Sequence, residues 1–183
     1  MKKLLGFTLV EMLVVIGIVA ITLPATFAII FAIIRQQARV YALKQVKREG
    51  DFVLNKLDDN IRNNAIGIFT DASLSSNYEV CNLANTSASN TSGNFYFKDK
   101  IGNWFQYSSS PDNSIAFQSA VSSTSNLTTS AVKISNFLIS CNRWAAFSPP
   151  IVSISFDINF NGAQFQEQQV KIHYQTQVGM KNY

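Results

Sequence analysis

From Phe7 to Ile34 the chain carries a single charged residue, Glu11. A helix needs about 20 apolar residues to cross a bilayer, so the pattern predicts a membrane-spanning helix over residues 7–34. After Ile34, Leu43, Val46, Val53, Leu54, Leu57 and Ile61 recur at three- and four-residue spacing among Lys44, Lys47, Arg48, Asp51, Lys56, Asp58, Asp59 and Arg62. That is an apolar stripe on a charged rod, and it predicts an amphipathic extension of the helix over 35–65 whose stripe must be covered by another element. Gly50 interrupts the heptads that a coiled-coil partner would require. Asn63, Asn64 and Gly67 supply the stop. At the usual rise, the rod from Phe7 to Asn64 extends roughly 85 Å.

Asp71 to Gly93 is rich in Ser, Asn and Ala and lacks periodicity, so loop is expected there. Strand signals begin at Asn94: Phe95-Tyr96-Phe97, Trp104-Phe105-Gln106-Tyr107 and Ser114-Ile115-Ala116-Phe117 are separated by Asp99-Lys100-Ile101-Gly102 and Ser110-Pro111-Asp112-Asn113, the punctuation of an antiparallel meander. Further on, Val152, Ile154, Phe156, Ile158 and Phe160 alternate with Ser153, Ser155, Asp157 and Asn159, which predicts a strand with one buried face. Asn161-Gly162 predicts a two-residue hairpin turn. On the return, Val170, Ile172, Tyr174, Val178 and Met180 alternate, but Phe165 is out of phase with them. A two-residue turn pairs Phe165 with Ile158 and Lys171 with Val152, so a bulge between Gln166 and Gln169 is expected to restore the register.

Glu11 needs its own explanation, because a carboxylate inside a membrane span is costly and marks a functional position. Around it, Gly6-Phe7-Thr8-Leu9-Val10-Glu11 resembles the processing site of type IV prepilins and of the pseudopilins of type II secretion systems. The resemblance implies a leader of residues 1–6, cleavage between Gly6 and Phe7 by a prepilin peptidase, and N-methylation of Phe7 by the same enzyme. It also implies that the Glu11 carboxylate meets the terminal amine of a neighbouring subunit during assembly, a pairing that gives both charges a partner in hydrocarbon. The fold it implies is α+β and type IV pilin-like, a long amino-terminal helix packed on an antiparallel β-sheet head over residues 66–183. The implied partners are other pilins or pseudopilins through that helix, the peptidase, a membrane assembly platform, and membrane lipid before assembly. Pro24 departs from the pattern, lying nearer the glutamate than the proline usual in major pilins, and is a candidate kink. The ending Thr176-Gln177-Val178-Gly179-Met180-Lys181-Asn182 resembles the close of the larger minor pilins and matching pseudopilins. A secretory signal peptide would have a shorter apolar region with its cleavage site after it. A plain signal anchor would leave Glu11 and the Gly-Phe junction unexplained.

The expected location is the cytoplasmic membrane, crossed once with the head outside, and then a pilus or pseudopilus at the cell surface or in the periplasm. Arg35, Arg39, Lys44, Lys47 and Arg48 after the span outnumber Lys2 and Lys3 before it, which a positive-inside count reads as the opposite orientation. Long domains translocate despite such charge, and a prepilin's amino terminus faces inward. Loss of Lys2 and Lys3 lowers the formal charge from +4 to +2, 13 basic against 11 acidic residues, so a nucleic-acid partner is not demanded. Charged residues make up only 14%, which leaves Ser, Thr, Asn and Gln to supply the head's polar surface, as suits the outside of a cell. Cys81 and Cys141 are the only cysteines. In an exported domain they suggest a disulfide, with two unpaired apolar side chains as the alternative, and they are too few for a zinc site.

Catalytic chemistry is not signalled. Asp157-Ile158-Asn159-Phe160-Asn161-Gly162 imitates half of an EF-hand loop, but the bidentate position falls on Gln168 and no helices flank the segment. His173, the only histidine, falls on the polar face of its strand beside Lys171 and Gln175 as a solvated residue. With no Gly-x-Ser-x-Gly element, metal-ligand cluster or phosphate loop, no catalytic residue, cofactor or metal is expected. Asn85-Thr86-Ser87, Asn90-Thr91-Ser92 and Asn126-Leu127-Thr128 match the glycosylation pattern, as loop composition of this kind does by chance. The expected role is a structural or assembly subunit, a minor pilin or pseudopilin rather than a major pilin, and not an enzyme. The alternative is an adhesin-like head at a filament tip that captures DNA, a surface or an exported substrate. Such a head should expose a basic or aromatic patch, around Lys98, Lys100 and Trp104 for instance, whereas a purely structural one buries its aromatics.

Overall fold

The computed structural model describes residues 8–90, 94–162 and 166–181. Helix α1, Leu9–Asn64, is a continuous rod of 56 residues with Thr8 as its N-cap. Pro24 lies within it and removes one backbone donor, yet the helix runs on; on either side the hydroxyls of Thr22 and Thr26 donate to the carbonyls of Val19 and Leu23. Among the described residues nothing covers the first half, where Leu13, Ile16, Phe27, Ile30 and Ile34 are all exposed. In the second half Ala42, Val46, Glu49, Gly50, Val53, Leu57 and Ile61 are buried, so the helix does pack along a stripe. The stripe is rotated slightly from the one read in the sequence, with Ala42 and Gly50 inside and Leu43 exposed, because close contact with a sheet favours small residues there.

Strand β1, Ala65–Phe69, follows the helix directly, and then come β2 (Glu79–Val80), β3 (Ser87–Asn90), β4 (Tyr96–Asp99), β5 (Trp104–Ser109), β6 (Ile115–Ser119), β7 (Ser122–Asn126), β8 (Val132–Asn142), β9 (Ile151–Phe160) and β10 (Lys171–Gly179). They form a six-stranded sheet in the order β2-β1-β4-β5-β6-β7 and a four-stranded sheet in the order β10-β9-β8-β3. Every pairing is antiparallel. The architecture is thus α+β and pilin-like, one long helix on antiparallel sheets. The expected meander is β4-β5-β6, and its residues Phe97, Phe105, Tyr107 and Ile115 face the core.

Two expectations are corrected. Asp71–Gly93 is not loop throughout: it contains a 3-10 turn at Ser76–Tyr78, β2, and β3, which pairs with β8 from Ser87 opposite Asn142 to Asn90 opposite Ile139. The Asn161-Gly162 hairpin is the second. β10 begins only at Lys171, and its ladder pairs Lys171 with Asn159, Ile172 with Ile158 and Val178 with Val152, seven residues away from the two-residue register. No bulge lies between Gln166 and Gln169; a 3-10 turn at Gln166–Gln168 occupies that stretch, and Phe165 is outside the described residues. Asn161 is held elsewhere, its backbone N–H on the carbonyl of Ala131 at 2.9 Å and its Nδ2 on that of Ser130 at 2.9 Å. An odd slip turns every side chain of the strand over, which brings Ile172 and Val178 to the core face and takes Lys171 off it.

A bulge does occur on β8, between Ser135 and Leu138, where Asn136 takes φ 54°. Inside, Val152, Ile154, Phe156 and Ile158 of β9 are fully buried together with Val46, Val53, Leu57 and Ile61 of α1. Each such side chain contributes about 1.5–3 kcal/mol of burial. The helix and β10 rise side by side: at the lower end Tyr41 meets Phe160, the last residue of β9, next to the start of β10, with ring centroids 6.2 Å apart, and at the upper end the carbonyl of Arg62 accepts from the N–H of Lys181, just past β10. The pole of the head near Arg62 is therefore the one farthest from the uncovered half of α1.

Candidate functional site

Gly6 and Phe7 lie outside the described residues, so the structure begins just beyond the cleavage junction read from the sequence. Glu11 stands in the first turn of α1, exposed, and its backbone N–H donates to the Thr8 hydroxyl at 3.3 Å. Thr8-x-x-Glu11 has the spacing of a helix-starting cap, a signal present in the sequence within the same motif. Glu11 is the sole charge on a half-helix whose apolar side chains have no cover among the described residues. Such a surface must be met by lipid or by other apolar helices, and the carboxylate then requires a cation of its own.

Cys81 and Cys141 are joined, with Cα atoms 6.2 Å apart, tying the segment before β3 to the end of β8. The aromatics of the meander divide between the two faces of their sheet. Phe97, Phe105 and Tyr107 are buried, and Trp104 is half-buried with its ring edge-on to Tyr96 at 5.3 Å. Lys98 is partly covered and Lys100 exposed, so this region sets lysines beside a packed indole rather than an open aromatic platform.

Two polar constellations escaped the sequence because their members are far apart along the chain. Glu49, only 6% exposed, accepts hydrogen bonds from the N–H and hydroxyl of Thr129 and from Gln45 and Arg48, which fastens α1 to the approach to β8. On the outer face of the four-stranded sheet, the Asp157 carboxylate is surrounded by His173 Nδ1 at 2.8 Å, Lys171 Nζ at 2.9 Å and Asn136 Nδ2 at 2.6 Å. These bonds, His173 first, then Lys171 and Asn136, hold its pKa down to about 2. His173 is exposed as the alternation implied, but it is partnered, and Asp157 belongs to this ion-pair cluster rather than to a calcium loop.

An apolar half-helix with one carboxylate at its start, running into a helix clasped by antiparallel sheets, is a pilin-like architecture whose helix is long and apolar enough to cross a membrane. Residues 1–23 match the prokaryotic N-terminal methylation motif, the signal motif of type IV prepilins and pseudopilins, which supports a pilin-like substrate of prepilin peptidase. Comparison with curated proteins and with solved structures gave no match.

Proposed function

We propose that the chain is a minor pilin or pseudopilin, cleaved after Gly6, methylated on Phe7, and built into a type IV pilus or type II secretion pseudopilus through residues 7–34. It acts by assembly and not by turnover. Glu11 carries this reading: it is exposed, it is the sole charge on an uncovered apolar half-helix, and it lies within the matched motif. Before assembly the helix spans the cytoplasmic membrane with residues 66–183 outside; in the filament Glu11 receives the terminal ammonium of a neighbouring subunit, so that neither charge is left unpaired in hydrocarbon. Capture of DNA by a Lys98, Lys100 and Trp104 patch gains no support from the packed indole of Trp104.

The test compares wild type with Gly6→Ala and Glu11→Ala by intact mass and amino-terminal analysis of sheared filaments and membranes. The expected chain begins with methylated Phe7, and Glu11→Ala leaves it in membranes while removing it from filaments. A chain that begins at Met1 and is indifferent to both substitutions overturns the proposal.

A further inference from the structure

The outer face of the four-stranded sheet changes character along its length. Towards the uncovered half of α1 it carries Lys133, Asp157, Lys171 and His173; towards the far pole the charges stop. There the ladder sets Ser89 opposite Ser140, Ser140 opposite Ser153, and Ser153 opposite Gln177, one row of uncharged polar side chains across all four strands. Four strands span about 14 Å. A groove of about 490 Å³ lies over this row, bordered beyond Asn142 by Trp144. Its volume is that of a small-molecule site, and its walls hold hydroxyls and amides with no ionisable side chain.

Trp144 is 78% exposed and, with Phe147 at 102%, forms the aromatic tip of the loop between β8 and β9. The loop is held from within: the Arg143 guanidinium donates to the carbonyls of Ala145, Ala146 and Ser148, and the backbone N–H of Arg143 donates to Thr86 at 2.8 Å. An indole kept in solvent by a braced loop, beside a floor of short hydroxyl side chains, matches a ligand with an apolar flat face and a rim of hydroxyls. An acidic polymer would find no cation in the groove, and a lipid surface would meet serines.

We infer that the groove between Trp144 and the Ser89-Ser140-Ser153-Gln177 row binds a neutral oligosaccharide, one sugar ring lying on the indole and the next hydrogen-bonded across the sheet. The inference rests on the pilin-like reading only for the groove's place at the pole farthest from the membrane helix, where a terminal subunit would present it.

The full chain in phosphatidylcholine nanodiscs, free of glycoside detergents, is titrated with cello-, malto-, chito- and galacto-oligosaccharides, with oligogalacturonate and a DNA oligonucleotide as comparators. Trp104→Phe leaves Trp144 as the only indole, so its fluorescence reports the groove, and calorimetry gives the affinity. Binding of at least one neutral oligosaccharide, weakened tenfold or more by Trp144→Ala and by Ser153→Arg at unchanged melting temperature, supports the inference. No binding by any neutral member, binding that survives both substitutions, or preferential binding of a comparator overturns it. Amino-terminal processing of the same variants is followed in parallel. Normal processing without sugar binding defeats the groove alone, and sugar binding by an unprocessed chain defeats the pilin reading alone.

Discussion

Gly50 on α1 lies directly beneath the ring of Tyr174 on β10: a Cβ on Gly50 would stand 2.8 Å from the tyrosine oxygen and closer still to Cζ and Cε2. The ring cannot retreat easily, since its other side stacks on Phe156 at 5.3 Å and its hydroxyl donates to Asp51 Oδ1 at 3.0 Å. The glycine that breaks the heptad pattern is thus a point at which helix and sheet make close approach.

Gly50→Ala would gain about 1 kcal/mol of helix propensity but lose about 1–3 kcal/mol to overpacking. A net loss is expected in chemical denaturation of the full chain. Gly50→Ala combined with Tyr174→Ala, which removes the obstructing ring, should show a smaller effect of the alanine than in the wild-type background. Equal effects in both backgrounds would show that the ring is not the obstacle.

Tyr174 and Tyr107 should ionise late. Burial raises both to about 12; for Tyr174 the nearby Asp51 carboxylate adds to it, and for Tyr107 the hydrogen bond from Asn60 opposes it. Since the folded values lie above the unfolded value near 10, these groups stabilise the fold below that pH, and the contribution disappears as pH rises towards 12. Absorbance at alkaline pH should show two late-titrating tyrosines whose ionisation coincides with loss of tertiary structure; Tyr107→Phe and Tyr174→Phe should each remove one.

Asp157 titrates in the opposite sense. Its folded pKa, about 2, lies below the unfolded value, so its bonds to His173, Lys171 and Asn136 stabilise the fold above pH ~4, and the benefit is lost as pH falls to about 2. Asp157→Asn should be less stable than wild type at pH 5, with the difference narrowing steadily on acidification. A difference that stays constant down to pH 2 would remove the charge from the explanation.

The Cys81–Cys141 bond closes a sequence separation of 60 residues. Replacing both cysteines by serine should cost about 2–4 kcal/mol. Peptide mapping without reduction should recover the linked pair from exported protein, and an unchanged melting temperature for the double variant would deny the bond a structural role.

How much of this was legible depended on the distance over which each signal acts. The helix declared itself through Phe7–Ile34 and through the spacing of Val46, Val53, Leu57 and Ile61, and β9 through strict alternation, because those patterns repeat within a turn or a pleat. β8 is just as regular, with Val132, Ile134, Ile139 and Cys141 buried, but the bulge at Asn136 breaks its alternation midway and hides it. The Asn161-Gly162 pair read as a hairpin because dipeptide statistics know nothing of Ala131 and Ser130, which capture Asn161 instead.

By itself the sequence determined the long apolar stretch of the helix, the N-terminal methylation motif, the carboxylate at Glu11 and the presence of alternating strands, all properties of neighbours along the chain. Only the tertiary structure decided that Gly50 admits Tyr174, that Glu49 holds Thr129, that Asp157 gathers His173 and Lys171, and that three serines and Gln177 align beneath Trp144. Each of those depends on strand register, and register is set by which faces the whole core can bury at once, a sum over distant residues that no local window contains.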